Sequence, residues 1–66
     1  MKHTTPLTPG QTWRTPDGTA RTILAVLPET RHSEASVRIE TGRGEMTISV
    51  RSMRSWISGR KAVVGE

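Results

Sequence analysis

Short runs in which apolar and polar residues alternate recur along the chain, and Gly, Pro, Asp and Thr separate them. Alternation with a period of two is typical of a β-strand, because successive side chains point to opposite faces of a sheet. No apolar stripe with the helical period extends beyond about two turns. The pattern therefore predicts an all-β domain.

The first hairpin is predicted around the sequence TPDG at 15–18. Residues 11–15 form a first strand around Trp13, and the Pro, Asp and Gly then supply the backbone angles of a tight reversal. Residues 21–27 contain the continuous apolar run ILAVL, which is typical of a central strand covered on both faces. The polar residues 28–34 are predicted to form the longest loop.

A second hairpin is predicted around the sequence TGRG at 41–44. The apolar positions are Val37 and Ile39 before the glycines and Met46, Ile48 and Val50 after them. Both sets share a face only if the loop has an even number of residues. A two-residue loop places Glu40 opposite Glu45, a like-charge pair that costs stability, whereas a four-residue loop pairs Ile39 with Ile48. We predict the four-residue loop.

A single helical turn is predicted before the last strand. Ser52 is the expected cap, Met53, Trp56 and Ile57 share one face, and Gly59 is placed to end the turn.

Residues 62–64 then provide a short fifth strand. Four strands, one helical turn and a short last strand follow the order found in SH3-like barrels. We predict a flexible N-terminal arm over residues 1–9 and a small five-stranded SH3-like β-barrel domain over residues 10–66.

Several of these segments carry a family resemblance: PGQTWR at 9–14, the turn glycine Gly18, Ile23 and Val26, and RSMR at 51–54 after the alternating hairpin. The chain resembles the small, uncharacterised SH3-like barrel proteins of bacteriophages and actinobacteria. This resemblance implies the barrel and no particular function. The chain is also similar to KOW-type barrels in its first glycine turn, but it lacks their compact run of glycines and valines.

Positive charge is the strongest functional signal. Ten Lys and Arg stand against six Asp and Glu, and residues 51–61 contain no acid at all. Guanidinium groups match phosphate oxygens well, so the sequence predicts contact with a DNA or RNA backbone. The candidate contacts are Arg14, Arg38, Arg51, Arg54, Arg60 and Lys61. The alternative is a solvated face on which these arginines bridge Glu40 and Glu45.

Other function classes are disfavoured by composition. The chain has no Cys and two isolated His, so no metal or cofactor site is recognisable. His32 has acidic and Ser neighbours, but we interpret this segment as an ordinary polar loop and not as part of a catalytic triad. Clustered aromatics for peptide grooves or methyl-lysine cages are missing. We predict a non-enzymatic cytoplasmic protein with no cofactor and no membrane partner.

A protein-interaction role is the alternative function. A domain this short buries little core, and exposed strand edges invite pairing with another chain. The partner would then be a host or phage protein, or a second copy of the chain in a homo-oligomer.

Overall fold

The computed structural model of the protein describes residues 6–65. Its elements are β1 (Thr12–Arg14), β2 (Ala20–Leu27), β3 (Ser36–Thr41), β4 (Gly44–Ser49), α1 (Val50–Arg60) and β5 (Val63–Gly65). The strands form one antiparallel sheet in the order β4-β3-β2-β1-β5. The predicted β class and the number of strands are confirmed. Within residues 6–65 the edge strands β4 and β5 do not pair with each other, so the sheet is open.

The predicted turn between β1 and β2 is confirmed. The Thr15 N–H donates to the Thr19 carbonyl at 2.9 Å, and the Gly18 N–H donates to the Thr15 carbonyl at 3.0 Å. Gly18 has φ 95°, a left-handed angle that glycine adopts without the steric cost of a Cβ. The Asp17 carboxylate accepts the Thr19 N–H at 3.0 Å and thereby closes the turn.

Strand β2 is central, but it is covered on one face only. Ile23 pairs with Ile39 and Ala25 with Arg38, so Leu24 is an extra residue that forms a β-bulge. Leu24 is 37% exposed, and Leu27 is exposed as well. The prediction of cover on both faces is therefore wrong, because the only helix among the described residues packs on the opposite face, which we call the inner face.

The turn between β3 and β4 has two residues, and the four-residue prediction is wrong. Glu40 pairs directly with Glu45, and Val37 pairs with Ile48. The Glu pair is tolerated because it lies on the solvent-facing side of the sheet, where Arg38 donates to the Glu45 carboxylate at 3.0 and 3.1 Å.

The Thr41 side chain explains why this short turn forms. Its hydroxyl accepts the Arg43 N–H and donates to the Gly44 carbonyl, both at 3.1 Å. Gly44 takes the positive φ of 116° that the turn requires. The even parity of the loop is preserved, so Ile39 and Ile48 face the same side as expected.

The helix is longer than the single turn that the sequence predicts. It spans 11 residues, about three turns, and begins at Val50, which was expected in the fourth strand. Ser49, not Ser52, is the N-cap: its hydroxyl accepts the Ser52 N–H at 3.0 Å. Gly59 lies inside the helix, and the chain leaves it through Lys61 at φ 55°.

The core lies between the inner face and α1. The fully buried side chains are Ile23, Val37, Ile39 and Met53. Trp13, Leu7 and Ala62 complete the buried cluster, and Trp56 and Ile57 pack against it as expected for the helical stripe. Residues 1–5 of the predicted arm lie outside the described residues, and Leu7 belongs to the core.

Candidate nucleic-acid interface

Two of the predicted phosphate contacts lie on the outer face of the sheet. Arg14 pairs with Ala20 at one end of β2, and Arg38 pairs with Ala25 farther along the same strand. Both side chains are exposed. The Arg38 guanidinium is already held by Glu45, which partly neutralises it.

The other four predicted contacts lie on or just after the helix. Arg51 is exposed and Arg54 is half-buried one turn later. Arg60 reaches the β1–β2 turn and donates to the Asp17 carboxylate at 3.2 Å, and Lys61 follows as the C-cap. The six candidates are thus distributed over the outer sheet face, the first half of the helix and the helix C-terminus.

A groove of about 640 Å³ lies between the two hairpin turns. Its walls are residues 18–21 of the first hairpin and residues 41–43 of the second, with Met46. Two of the wall residues, Arg21 and Arg43, are cationic, and neither forms an ion pair within the described part of the chain. The groove therefore combines apolar surface with guanidinium groups that have no carboxylate partner there.

Arg21 is the most unusual cation of the protein. It pairs with Trp13 on the inner face, and its guanidinium carbon lies 4.4 Å from the centre of the Trp56 ring. This is cation–π geometry, which holds the positive charge over the ring. Partial burial, and then the positive charge of Arg60, lower the pKa of Arg21. Arg21 and Arg60 are thus close enough for their charges to repel each other.

Asp17 is fully engaged in the first turn. The Thr15 hydroxyl bond, then the Thr19 N–H bond, lower the pKa of Asp17 from its usual 3.8 to about 2, and the Arg60 charge adds a smaller effect. Asp17 therefore anchors the helix end through Arg60 and leaves Arg21 without a carboxylate.

The surface at this end of the molecule gathers five cations. We call it the turn end: it comprises the two hairpin turns, the groove and the helix C-terminus, with the cations Arg14, Arg21, Arg43, Arg60 and Lys61. Arg21 and Arg43 were not among the predicted contacts. A signal for Arg21 was present, because it stands two positions before the buried Ile23 and so shares its face.

Comparison of the chain with protein-family models, with curated proteins and with solved structures finds no match in any of the three. Over residues 6–65, no group of three or more His, Asp or Glu side chains is placed to hold a metal ion. No helix in that part of the chain has the length and hydropathy needed to span a membrane.

Proposed function

We propose that this protein is a small non-enzymatic domain of the SH3-like barrel type that binds the backbone of nucleic acid through the turn end. The element order supports the fold assignment, since a short helix stands between the fourth and fifth strands of a five-stranded antiparallel sheet. The phage-type resemblance of the sequence agrees with a small, basic, cytoplasmic binding protein.

The observation that carries the proposal is the set of unpaired guanidinium groups at the turn end. Arg14, Arg21 and Arg43 make no ion pair with any residue in 6–65, whereas Arg60 is partly neutralised by Asp17. Planar guanidinium forks bind phosphate oxygens in two-point contacts, which makes the sugar–phosphate backbone of nucleic acid a complementary ligand. The proposed interface differs from the predicted set because it adds Arg21 and Arg43. It keeps Arg14, Arg60 and Lys61.

Fluorescence anisotropy with labelled oligonucleotides at low salt tests the proposal. We expect dissociation constants within the non-specific range of about 10⁻⁴ to 10⁻⁶ M, and a steep loss of affinity as salt is raised. Contact with about four phosphates gives a slope of log K against log salt near −3.6 on duplex DNA.

A matched pair of variants then locates the interface. Arg43→Gln removes a turn-end cation and is expected to reduce the salt slope by about one unit, while Arg31→Gln removes a cation from the 28–35 loop at the opposite end of the sheet and leaves the slope nearly unchanged. No binding at about 100 μM protein rejects the proposed function. Equal effects of the two variants reject the turn end as the interface.

A second candidate function, protein interaction, is favoured by the edge strand β5. Val63 is 67% exposed on this strand, which pairs with β1 on one side only. An edge strand offers unpaired backbone groups to a strand of another chain, either a host or phage protein or a second copy. Sedimentation at increasing concentration tests self-association: a monomer at every concentration rejects the homo-oligomer, and dimerisation that Val63→Lys abolishes supports pairing through β5.

A further inference from the structure

We propose that the groove between the two hairpin turns holds one unpaired nucleobase, stacked on the guanidinium of Arg21, so that single-stranded nucleic acid is the preferred ligand. This inference rests on the proposed function and specifies the ligand of the same surface. It assigns to Arg21 the recognition of a base, in addition to the attraction that its charge exerts on phosphates.

The environment of Arg21 carries the first step. Its guanidinium carbon lies over the Trp56 ring, at 4.4 Å from the ring centre. Arg21 lines the groove, whereas Trp56 does not. A guanidinium that is already held at a ring loses less freedom when a ligand binds, and arginine planes are among the groups on which unpaired bases stack.

The lining of the groove carries the second step. Met46 is 47% exposed at its wall, and the remaining wall is largely turn backbone with Ala20. The Thr41 hydroxyl is already used inside its own turn, as both acceptor and donor. A phosphate alone would leave the apolar wall in water, whereas a base covers it. The volume of about 640 Å³ lies within the usual range of about 300–1,000 Å³ for small-ligand sites.

Charge at the rim carries the third step. Arg43 stands on the second turn without an ion pair among residues 6–65, and Arg60 stands at the helix end beside Asp17. The sugar–phosphate chain on either side of a bound base would pass these two groups. A base inside a duplex is stacked between its neighbours and cannot enter a groove recessed between two turns, so the site selects unpaired strands.

Three labelled ligands with matched phosphate counts test the inference: a single-stranded oligothymidine, a strand of the same length in which every base is replaced by an abasic sugar, and a duplex. We expect the oligothymidine to bind at least about fivefold more tightly than the abasic strand, since one stacked base contributes about that much. Equal affinity for these two strands overturns the inference and leaves backbone binding intact. No binding of any ligand overturns the proposed function itself.

Charge-conserving variants separate stacking from electrostatics. Arg21→Lys keeps the cation and removes the plane, so it is expected to abolish the preference for the base-bearing strand with little change in binding of the abasic strand. Arg31→Lys makes the same change in the 28–35 loop and is expected to retain the full preference. A preference that survives Arg21→Lys overturns the inference.

A second variant does not depend on how Arg21→Lys folds. Met46 is exposed, so Met46→Gln removes apolar wall at little risk to the core. We expect it to reduce the preference for the base-bearing strand severalfold while the abasic strand binds as before. An unchanged preference would place the base outside the groove and overturn the assignment.

Discussion

Ile39 and Met46 are cross-strand partners on the inner face, yet their environments are opposite. Ile39 is fully buried, and Met46 is 47% exposed. Both follow the same alternation of apolar and polar residues, so the pattern places them on one face and says nothing about what covers that face. The helix passes over the part of the face around Met53 and leaves the part around Arg21 and Met46 open as a groove. The covered part holds the fold together, and the open part is the groove in which we propose that a ligand binds.

The largest expected effect comes from truncating a methionine on the covered side. Met53 is fully buried, so Met53→Ala is expected to lower the free energy of unfolding by about 2–5 kcal/mol, a large share of the total for a domain of this size. Met46→Ala makes the same chemical change in the open part and is expected to cost no more than about 0.5 kcal/mol. Urea denaturation followed by circular dichroism measures both. Equal losses would contradict the distinction between the two parts of the face.

The next effect concerns the two turns that border the groove. Gly18 has φ 95°, so Gly18→Ala is expected to destabilise the fold by about 1–2 kcal/mol through backbone strain, since no atom lies within 4 Å of the added Cβ. Gly42→Ala meets equally open space without a positive φ, and its stability should stay within about 0.5 kcal/mol of the parent. Thermal unfolding compares them, and a harmless Gly18→Ala would show that the first turn does not need its left-handed residue.

A smaller effect is expected where the covered part meets the open part. A double-mutant cycle with Arg21→Met and Trp56→Leu should give a coupling of about 0.5–1 kcal/mol, the usual strength of an accessible cation–π contact. The double-mutant cycle of Arg31→Met with Trp56→Leu is the control and should give no coupling energy. If the Arg21 cycle also gives none, the guanidinium is not held on the ring.

The smallest effect concerns the carboxylate that ties the helix end to the first turn. The pKa of Asp17 is lowered from 3.8 to about 2, so its ionised form stabilises the folded state fully above about pH 4, and this stabilisation is lost as the pH falls to about 2. The difference in melting temperature between the parent and Asp17→Asn should therefore be present at pH 7 and shrink across that window. A difference that is constant with pH would contradict the role of the Asp17 charge.

The sequence pattern predicted the shared face of Ile39 and Ile48 in the second hairpin, and it failed where a single hydroxyl decided the geometry. The bonds of Thr41 select the two-residue turn, and the Ser49 cap starts the helix three residues earlier than a cap at Ser52 would suggest. Alternation alone carries no information about either bond, because it describes only which side of a strand a residue occupies. Closure of the sheet into a barrel depends on twist and shear, which local periodicity also leaves open.

The sequence predicted less of the candidate site than of the fold. The outward positions of Arg14 and Arg38 follow from their neighbours, as does the inward position of Arg21. The bond between Arg60 and Asp17 joins residues 43 positions apart, and the Arg21 contact depends on the path of a helix expected to be one turn long. Which cations are neutralised is thus a property of the tertiary structure, and charge counts along the chain do not give it.

The bulge in β2 has a consequence for how this domain tolerates changes in chain length. Strand β2 has one more residue than β3 between two matched pairs. Ile23 and Val26 are three residues apart, whereas their partners Ile39 and Val37 are two residues apart. Removing Leu24 would restore a regular two-residue period and leave Ile23 and Val26 facing inward, and removing Ala25 would do the same by placing Leu24 opposite Arg38. The bulge is therefore the place in this strand at which the loss of one residue could be absorbed.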